Sequence, residues 1–198
     1  MIKKIYLFPL ETTVVPNEQL PLHIFEDRYK RMIKECLRNK SVFGIVQKRE
    51  SQICDIGCTV KIEEVLNKYQ NGEYDILLKG VKRFKIISKT NYLGLWIAKI
   101  SYLKDSDTLI DPGIVKTVHD KYLRTLIANK AIDNLENEIK KKKSYDFCQA
   151  IRLNSNFKQT FLELNDENER LLFLGDIFDK SLIPSSIMSR SNNESKLD

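Results

Sequence analysis

Residues 21–34 read Pro-Leu-His-Ile-Phe-Glu-Asp-Arg-Tyr-Lys-Arg-Met-Ile-Lys. A histidine, two adjacent carboxylates, an arginine and a tyrosine so close together suit an active site. They equally suit the join between an extended segment and a helix, and periodicity decides between the two. From Phe25 the apolar positions are Phe25, Tyr29, Met32, Ile33, Cys36 and Leu37, the i, i+3, i+4, i+7 spacing of one helix face. Arg28, Lys30, Arg31, Lys34, Glu35 and Arg38 fill the remainder. Glu26 and Asp27 fall in the first turn and cations follow, the order that a helix dipole favours. The stretch predicts a helix near 26–39 whose Tyr29 packs against a sheet, with the two carboxylates as ordinary first-turn residues.

On both sides of this helix, up to about residue 104, the period is two. In "GCTVKIEEVL" Cys58, Val60 and Ile62 share one face and Thr59, Lys61 and Glu63 the other, as in a half-buried strand. Asn71-Gly72 follows, a dipeptide suited to a tight hairpin because both positions tolerate positive φ. "EYDILLKG" then returns with Tyr74, Ile76 and Leu78 on one face. With "KIYLFPL", "SVFGIVQK", "RFKIIS" and "YLGLWIAKISYL" this makes about six strands, enough for a twisted sheet or small barrel.

After residue 105 the period turns helical. Asp111 is placed to cap a helix with Pro112 at its first position, lined by Val115, Val118, Tyr122 and Leu126. Ile132, Leu135 and Ile139 continue the pattern to a lysine run at 140–143, which suits a solvated helix end. "SYDFCQAIRL" reads as a further helix, and Ser155 as the cap of "NFKQTFLEL". Asp166 with Glu169 forms a capping box before a helix that Pro184 ends. The polar tail, 185–198, reads as disordered. The expected domains are thus a β-rich subdomain over 1–104, a helical one over 105–184, and the tail.

Composition narrows the function classes. The chain has 198 residues, 42% hydrophobic and 30% charged, ordinary for a globular protein. No apolar run approaches the roughly 20 residues of a membrane span. Pro9 and Glu11 interrupt the first apolar run, and no small-residue cleavage site follows, so the N-terminus reads as a first strand of a cytoplasmic protein. Cys54 and Cys58 resemble half a zinc site, but His23 and His119 provide no paired second half. The four cysteines read as buried thiols, with no metal or cofactor expected. Residues 1–105 carry 19 Lys/Arg against 12 Asp/Glu, and the remainder 14 against 15. The basicity therefore lies in the β-rich part, where it suits acidic peptides or nucleic acid.

The order of motifs carries a resemblance. "LFPLETTVVPNEQLPLHIFEDRYKRMI", "FGIV", "IGCTVKIEEV" and "NGEYDILLKGVKRFKI", followed by "AIRLNSNFKQTFLELNDENERLLFLGDIF", resemble the N-terminal domain of Lon proteases over most of residues 5–180. The sequence departs at Asn17–Gln19, where the family usually has a glycine-containing turn after the proline. The resemblance implies an α+β fold: a PUA-like pseudo-barrel with one inserted helix, joined to a helical bundle. It also implies a part in recognising substrate polypeptides, without ATPase or peptidase, as in a free-standing substrate-binding domain.

The residues fit that reading. The sequence has no phosphate-binding loop, dinucleotide turn, His-Glu-x-x-His or Gly-x-Ser-x-Gly. Candidate polypeptide-binding residues are Leu20, Leu22 and His23, taken as part of a proline-flanked loop, and Tyr92 and Trp96 from the late strands. They are expected between the barrel and the helical part, and for each of them simple packing is an equally good account. His23, between Leu22 and Ile24, reads as structural. In "GVKRF", Lys82 and Arg83 read as solvated cations at a strand edge, one of them approaching Glu26 or Asp27. The expected partners are polypeptide substrates or a protease or ATPase. Binding of RNA by the basic barrel is the second reading, which PUA-like folds bring to mind by analogy.

Overall fold

A computed structural model describes residues 2–50, 52–129, 135–148 and 153–181. Two compact units result, one of residues 1–105 with 152–165 and one of 106–151 with 166–198. The first unit contains β1 (Ile2–Leu10), β2 (Gln19–Ile24), α1 (Asp27–Asn39), β3 (Phe43–Arg49), β4 (Gln52–Lys68), β5 (Tyr74–Tyr92) and β6 (Leu95–Tyr102). The second contains α2 (Pro112–Ala128), α3 (Leu135–Lys140) and α4 (Ser144–Phe147). After them, α5 (Ser155–Glu163) returns to the first unit and α6 (Glu167–Ser181) to the second.

The sheet order is β2-β5-β4-β3-β1-β6, and a β5–β6 pairing closes it into a barrel. β5 is long enough to serve two partners. Its first part pairs with β2 (Leu22 opposite Ile76), its last part with β6 (Asn91 opposite Trp96). β2 pairs with β5 alone, so Pro21 sits on an edge strand, where its missing N–H costs no ladder bond. β1 and β3 run parallel, joined by β2 and α1.

Alternation along β1 builds two cores. Leu7 enters the barrel with Ile5, Val46, Phe84, Ile86, Ala98 and Ile100. Phe8 faces the other way and stacks on Tyr29 of α1, ring centroids 4.0 Å apart. The Phe84 ring fills the space between β3 and β4. A Cβ at Gly44 would lie 2.7 Å from that ring and one at Gly57 2.8 Å, so both positions need glycine for the close approach. Tyr29, Met32, Ile33 and Cys36 are the buried face of α1, as the spacing predicts.

Several expectations need correction. Phe25 precedes α1 and is exposed, so it is no part of the helix stripe. The 69–73 turn is wider than a two-residue hairpin: Tyr69 N–H donates to the Glu73 carbonyl, and only Gly72 has positive φ. "YLGLWIAKISYL" is not one strand but the end of β5, a Leu93–Gly94 turn with positive φ at both residues, and β6. Leu20, Leu22 and His23 lie in β2, not in a loop. Thr59 is buried like Cys58 and Val60, since both faces of β4 are covered there. Asn154, not Ser155, caps α5, its Oδ1 accepting from Phe157 N–H at 2.9 Å.

The largest correction concerns Arg83. It does face away from Phe84, but into protein rather than solvent. It donates to the carbonyls of Leu162 (2.8 Å) and Leu164 (2.5 Å) and pairs with Asp105 (2.6 Å). Glu26 pairs instead with Arg28 (2.6 Å) and Asp27 with Lys30 (2.8 Å). The physical reason is α5, which covers that face of the barrel with Phe161 and Leu162 and leaves its last carbonyls to be capped. Gln159, also buried, donates to the Ile56 carbonyl, and Lys158 pairs with Glu18. A single cut near residue 104 therefore misses the return of residues 152–165 to the β-rich unit.

In the second unit Asp111 and Asp166 cap as the sequence predicts. Asp111 Oδ1 accepts from Gly113 N–H at 2.7 Å and Asp166 Oδ1 from Asn168 N–H at 2.8 Å. α2 packs on α6 through Val118, Tyr122 and Leu126 with Leu171, Leu174 and Phe178. The expected helical residues Ile132 and 149–152, Pro184 and the tail at 185–198 lie outside the described residues.

Candidate functional site

α1 packs through its apolar stripe and leaves a cavity along each flank. One flank faces β1 and β6. It holds two adjoining cavities of about 340 and 190 Å3, both walled by Tyr6, Glu35 and Ile97. Tyr6 Oη donates to Glu35 Oε2 at 2.7 Å and bridges the groove where the two meet. That bond, helped by burial, holds the Tyr6 phenol above its ordinary range. Lys3, Lys4, Ser41 and Val42 line one half; Arg28, Met32, Tyr92, Leu93 and Leu95 line the other.

The β5–β6 turn shapes the second half. Gly94 N–H donates to Asn91 Oδ1, and Arg28 Nη1 donates to the Gly94 carbonyl at 2.8 Å, tying the turn to α1. The Arg28 guanidinium lies 4.6 Å from the Tyr29 ring centre, a stacked cation held on the helix it serves. Tyr92 and Leu93 are consequently presented to solvent, 66% and 69% exposed, at the mouth of the groove. Apolar side chains held so far out in a fixed turn are available for contact with another molecule.

The other flank faces the β4–β5 turn. A cavity of about 630 Å3 is lined by Asp27, Lys30, Arg31, Lys34, Lys68, Gly72 and Tyr74. Lys30 is committed to Asp27 and to the Asn71 carbonyl, and its ammonium lowers the Asp27 pKa. Arg31 lines both this cavity and the apolar half of the groove.

Of the residues singled out from sequence, Tyr92 lines the groove. Leu20 and Leu22 are half-buried beside Leu78 and Ile76 on the core face of the sheet. Trp96 is half-buried against the barrel core. His23 is held by carboxylates, with Nδ1 2.7 Å from Asp75 and Nε2 3.3 Å from Glu73. Asp75 also accepts from Tyr69 Oη at 2.7 Å, and these two bonds lower its pKa, the Tyr69 bond foremost. The β2 residues and Tyr92 lie against opposite ends of β5, so the five do not form one cluster. Tyr6, Glu35, Leu93 and Ile97 were missed; Gly94 after Leu93, a turn signal inside an apolar run, was the one clue to them.

Cys54 and Cys58 are four residues apart on one strand, about 13 Å in an extended chain. Burial pushes the Cys58 thiol up to about 12. Among the described residues no three His, Cys, Asp or Glu side chains gather to hold a metal ion, and no helix is long and apolar enough to cross a membrane.

Comparison with known proteins places this architecture. The family model for the ATP-dependent protease La (LON) substrate-binding domain matches residues 4–180. The chain belongs to the Lon substrate-binding domain family. Relatives include the Lon protease of Buchnera aphidicola, 27% identical over 194 residues (89% of this chain and 25% of that protein). Lon protease 1 of Hydrogenovibrio crunogenus is 21% identical, over 81% of this chain and 22% of its own. The chain thus spans about a quarter of the length of the curated relatives it matches. The fold is shared with a Lon N-terminal domain protein from Xanthomonas campestris (TM-score 0.69, 22% identity, 92% of this chain and 99% of that one). It is shared also with the N-terminal domain of a Mycobacterium avium complex Lon protease (TM-score 0.72, 17% identity, 89% and 98%).

Proposed function

We propose that this chain is a non-catalytic module that binds extended or unfolded polypeptides and presents them to a partner protease or ATPase. The observation that carries this is the groove along α1, whose apolar half ends in the exposed Tyr92–Leu93 turn. An extended segment buries alternate side chains on Ile97, Leu95 and Leu93 while its backbone meets the polar wall of Arg28, Tyr6 and Glu35. The family description, a substrate-binding domain of a protease, is consistent with this role. Of the five candidate residues, Tyr92 is a contact in this groove.

The test is fluorescence anisotropy with a labelled, permanently unfolded polypeptide. Leu93→Asp and Tyr92→Ala act on exposed positions and should leave the melting curve unchanged. Each should weaken binding about tenfold, the effect of losing one well-packed anchor. Binding that is identical in both variants overturns the groove assignment. A pull-down from extract that recovers partners only before nuclease treatment overturns the polypeptide reading.

A further inference from the structure

The cavity on the second flank of α1 is a cationic bay that the groove alone does not explain. It has four cations and one carboxylate, and that carboxylate, Asp27, is already paired with Lys30. Arg31, Lys34 and Lys68 make no salt bridge among the described residues, and Lys68 Nζ hangs 6.0 Å over the Tyr74 ring centre. Like charges gathered around a concave wall raise the local potential above that of the same cations spread on a convex surface. We propose that this bay selects acidic polypeptide segments, so that the preferred clients carry Asp or Glu next to the apolar run that the groove takes. This inference rests on the polypeptide-binding reading and names its substrate class.

Two observations favour an acidic peptide over nucleic acid. Arg31 lines both cavities, so the groove and the bay share one guanidinium. The bay also lacks an open stacking platform. Its aromatic ring, Tyr74, is buried beneath the Lys68 ammonium, whereas binding of single strands relies on bases stacked on exposed rings. Carboxylates need only the ammonium and guanidinium groups that Lys34, Lys68 and Arg31 supply.

The experiment compares three labelled peptides of equal length that share one apolar run and end in three Asp, three Ser or three Lys. The acidic peptide should bind about tenfold more tightly than the Ser peptide at low salt, and the Lys peptide most weakly. The advantage should vanish at about 0.5 M salt, where charges are screened within a few ångströms. Lys34→Glu with Lys68→Glu should abolish the preference and leave Ser-peptide binding unchanged; Lys34→Gln with Lys68→Gln should reduce it part-way. Both positions are exposed, and an unchanged circular dichroism melt checks folding. Equal affinity for the acidic and Ser peptides overturns the bay while the groove stands. Failure of all three to bind overturns both. An oligonucleotide that loses binding in the double variant, while the acidic peptide does not, assigns the bay to nucleic acid and overturns the proposal.

Discussion

Each unit buries an arginine, and the two are satisfied in opposite ways. Arg83 in the β-rich unit is 4% exposed and reaches carbonyls 79 and 81 residues away in sequence. Arg170 in the helical unit is fully buried. It pairs with Glu167 one turn earlier at 2.7 Å, and its guanidinium lies over the Tyr145 ring at 5.0 Å. Glu167 in turn accepts from the backbone N–H and hydroxyl of Ser144. One cation caps α5 on the barrel from almost eighty residues away, while the other, with Glu167, ties the start of α6 to Ser144 and Tyr145 at the start of α4. Buried charge is stable only where its partners are complete, but the consequences of removing it differ.

The largest expected effect follows from that contrast. Arg170→Ala leaves the Glu167 carboxylate, 13% exposed, without its cation and should cost about 3–5 kcal/mol by chemical denaturation. Arg83→Ala should cost less, about 3 kcal/mol, because Asp105 is half-exposed and can return to water, leaving mainly two orphaned carbonyls. Only the Arg83 change should speed hydrogen exchange across α5. Equal losses with α5 protection untouched in both variants would break the comparison.

Next in size is the layer under α1. Met32→Ala empties a buried site and should cost about 2–3 kcal/mol, the lower part of the range for such truncations, because the neighbouring groove gives it room to relax. A variant with an unchanged melt and no polypeptide binding would show that Met32 faces the ligand and not the core.

The ease of reading followed the same division between local and distant. The α1 stripe, the capping roles of Asp111 and Asp166 and the alternation of β5 rest on neighbours within a few residues, and all are visible in the sequence. Arg83 reads as a solvated cation in the sequence because α5, which buries it, lies almost eighty residues further on. The groove was largely illegible for the same reason. Tyr6, Glu35 and Ile97 come from three elements that only the closed barrel brings together.

Acid should expose the helical unit's local networks. Asp166 accepts from the hydroxyls of Ser106, foremost, and Thr108 and from the Glu169 N–H, and these hold its carboxyl down to about 2 against an ordinary value of 3.8. A lowered folded value means that the stabilisation is fully present above 3.8 and is lost as pH falls toward 2. Backbone amide signals of α6 should therefore weaken across that window. Asp166→Asn keeps the capping oxygen but cannot titrate, so the slope at α6 should flatten. An unchanged acid response at α6 would assign the transition to other carboxylates.

The smallest effect is expected in the turn before β2. Asn17 adopts φ of 67°, and its N–H donates to the Gly80 carbonyl while Gly80 N–H returns a bond to the Glu18 carbonyl. This left-handed conformation suits glycine, and asparagine is the side chain that tolerates it best. The loop therefore keeps the geometry of a glycine turn without the glycine. Asn17→Gly should change stability by less than about 0.5 kcal/mol, whereas Asn17→Ala should cost about 1 kcal/mol, since a Cβ without a local hydrogen-bonding group meets the left-handed penalty in full. Gly80 on the facing strand has no such latitude, because a Cβ there would stand 2.1 Å from the Val15 carbonyl oxygen. Equal melting temperatures for Asn17→Gly and Asn17→Ala would mean that the turn relaxes out of its left-handed form, and that the Gly80 pairing, not residue 17, sets its shape.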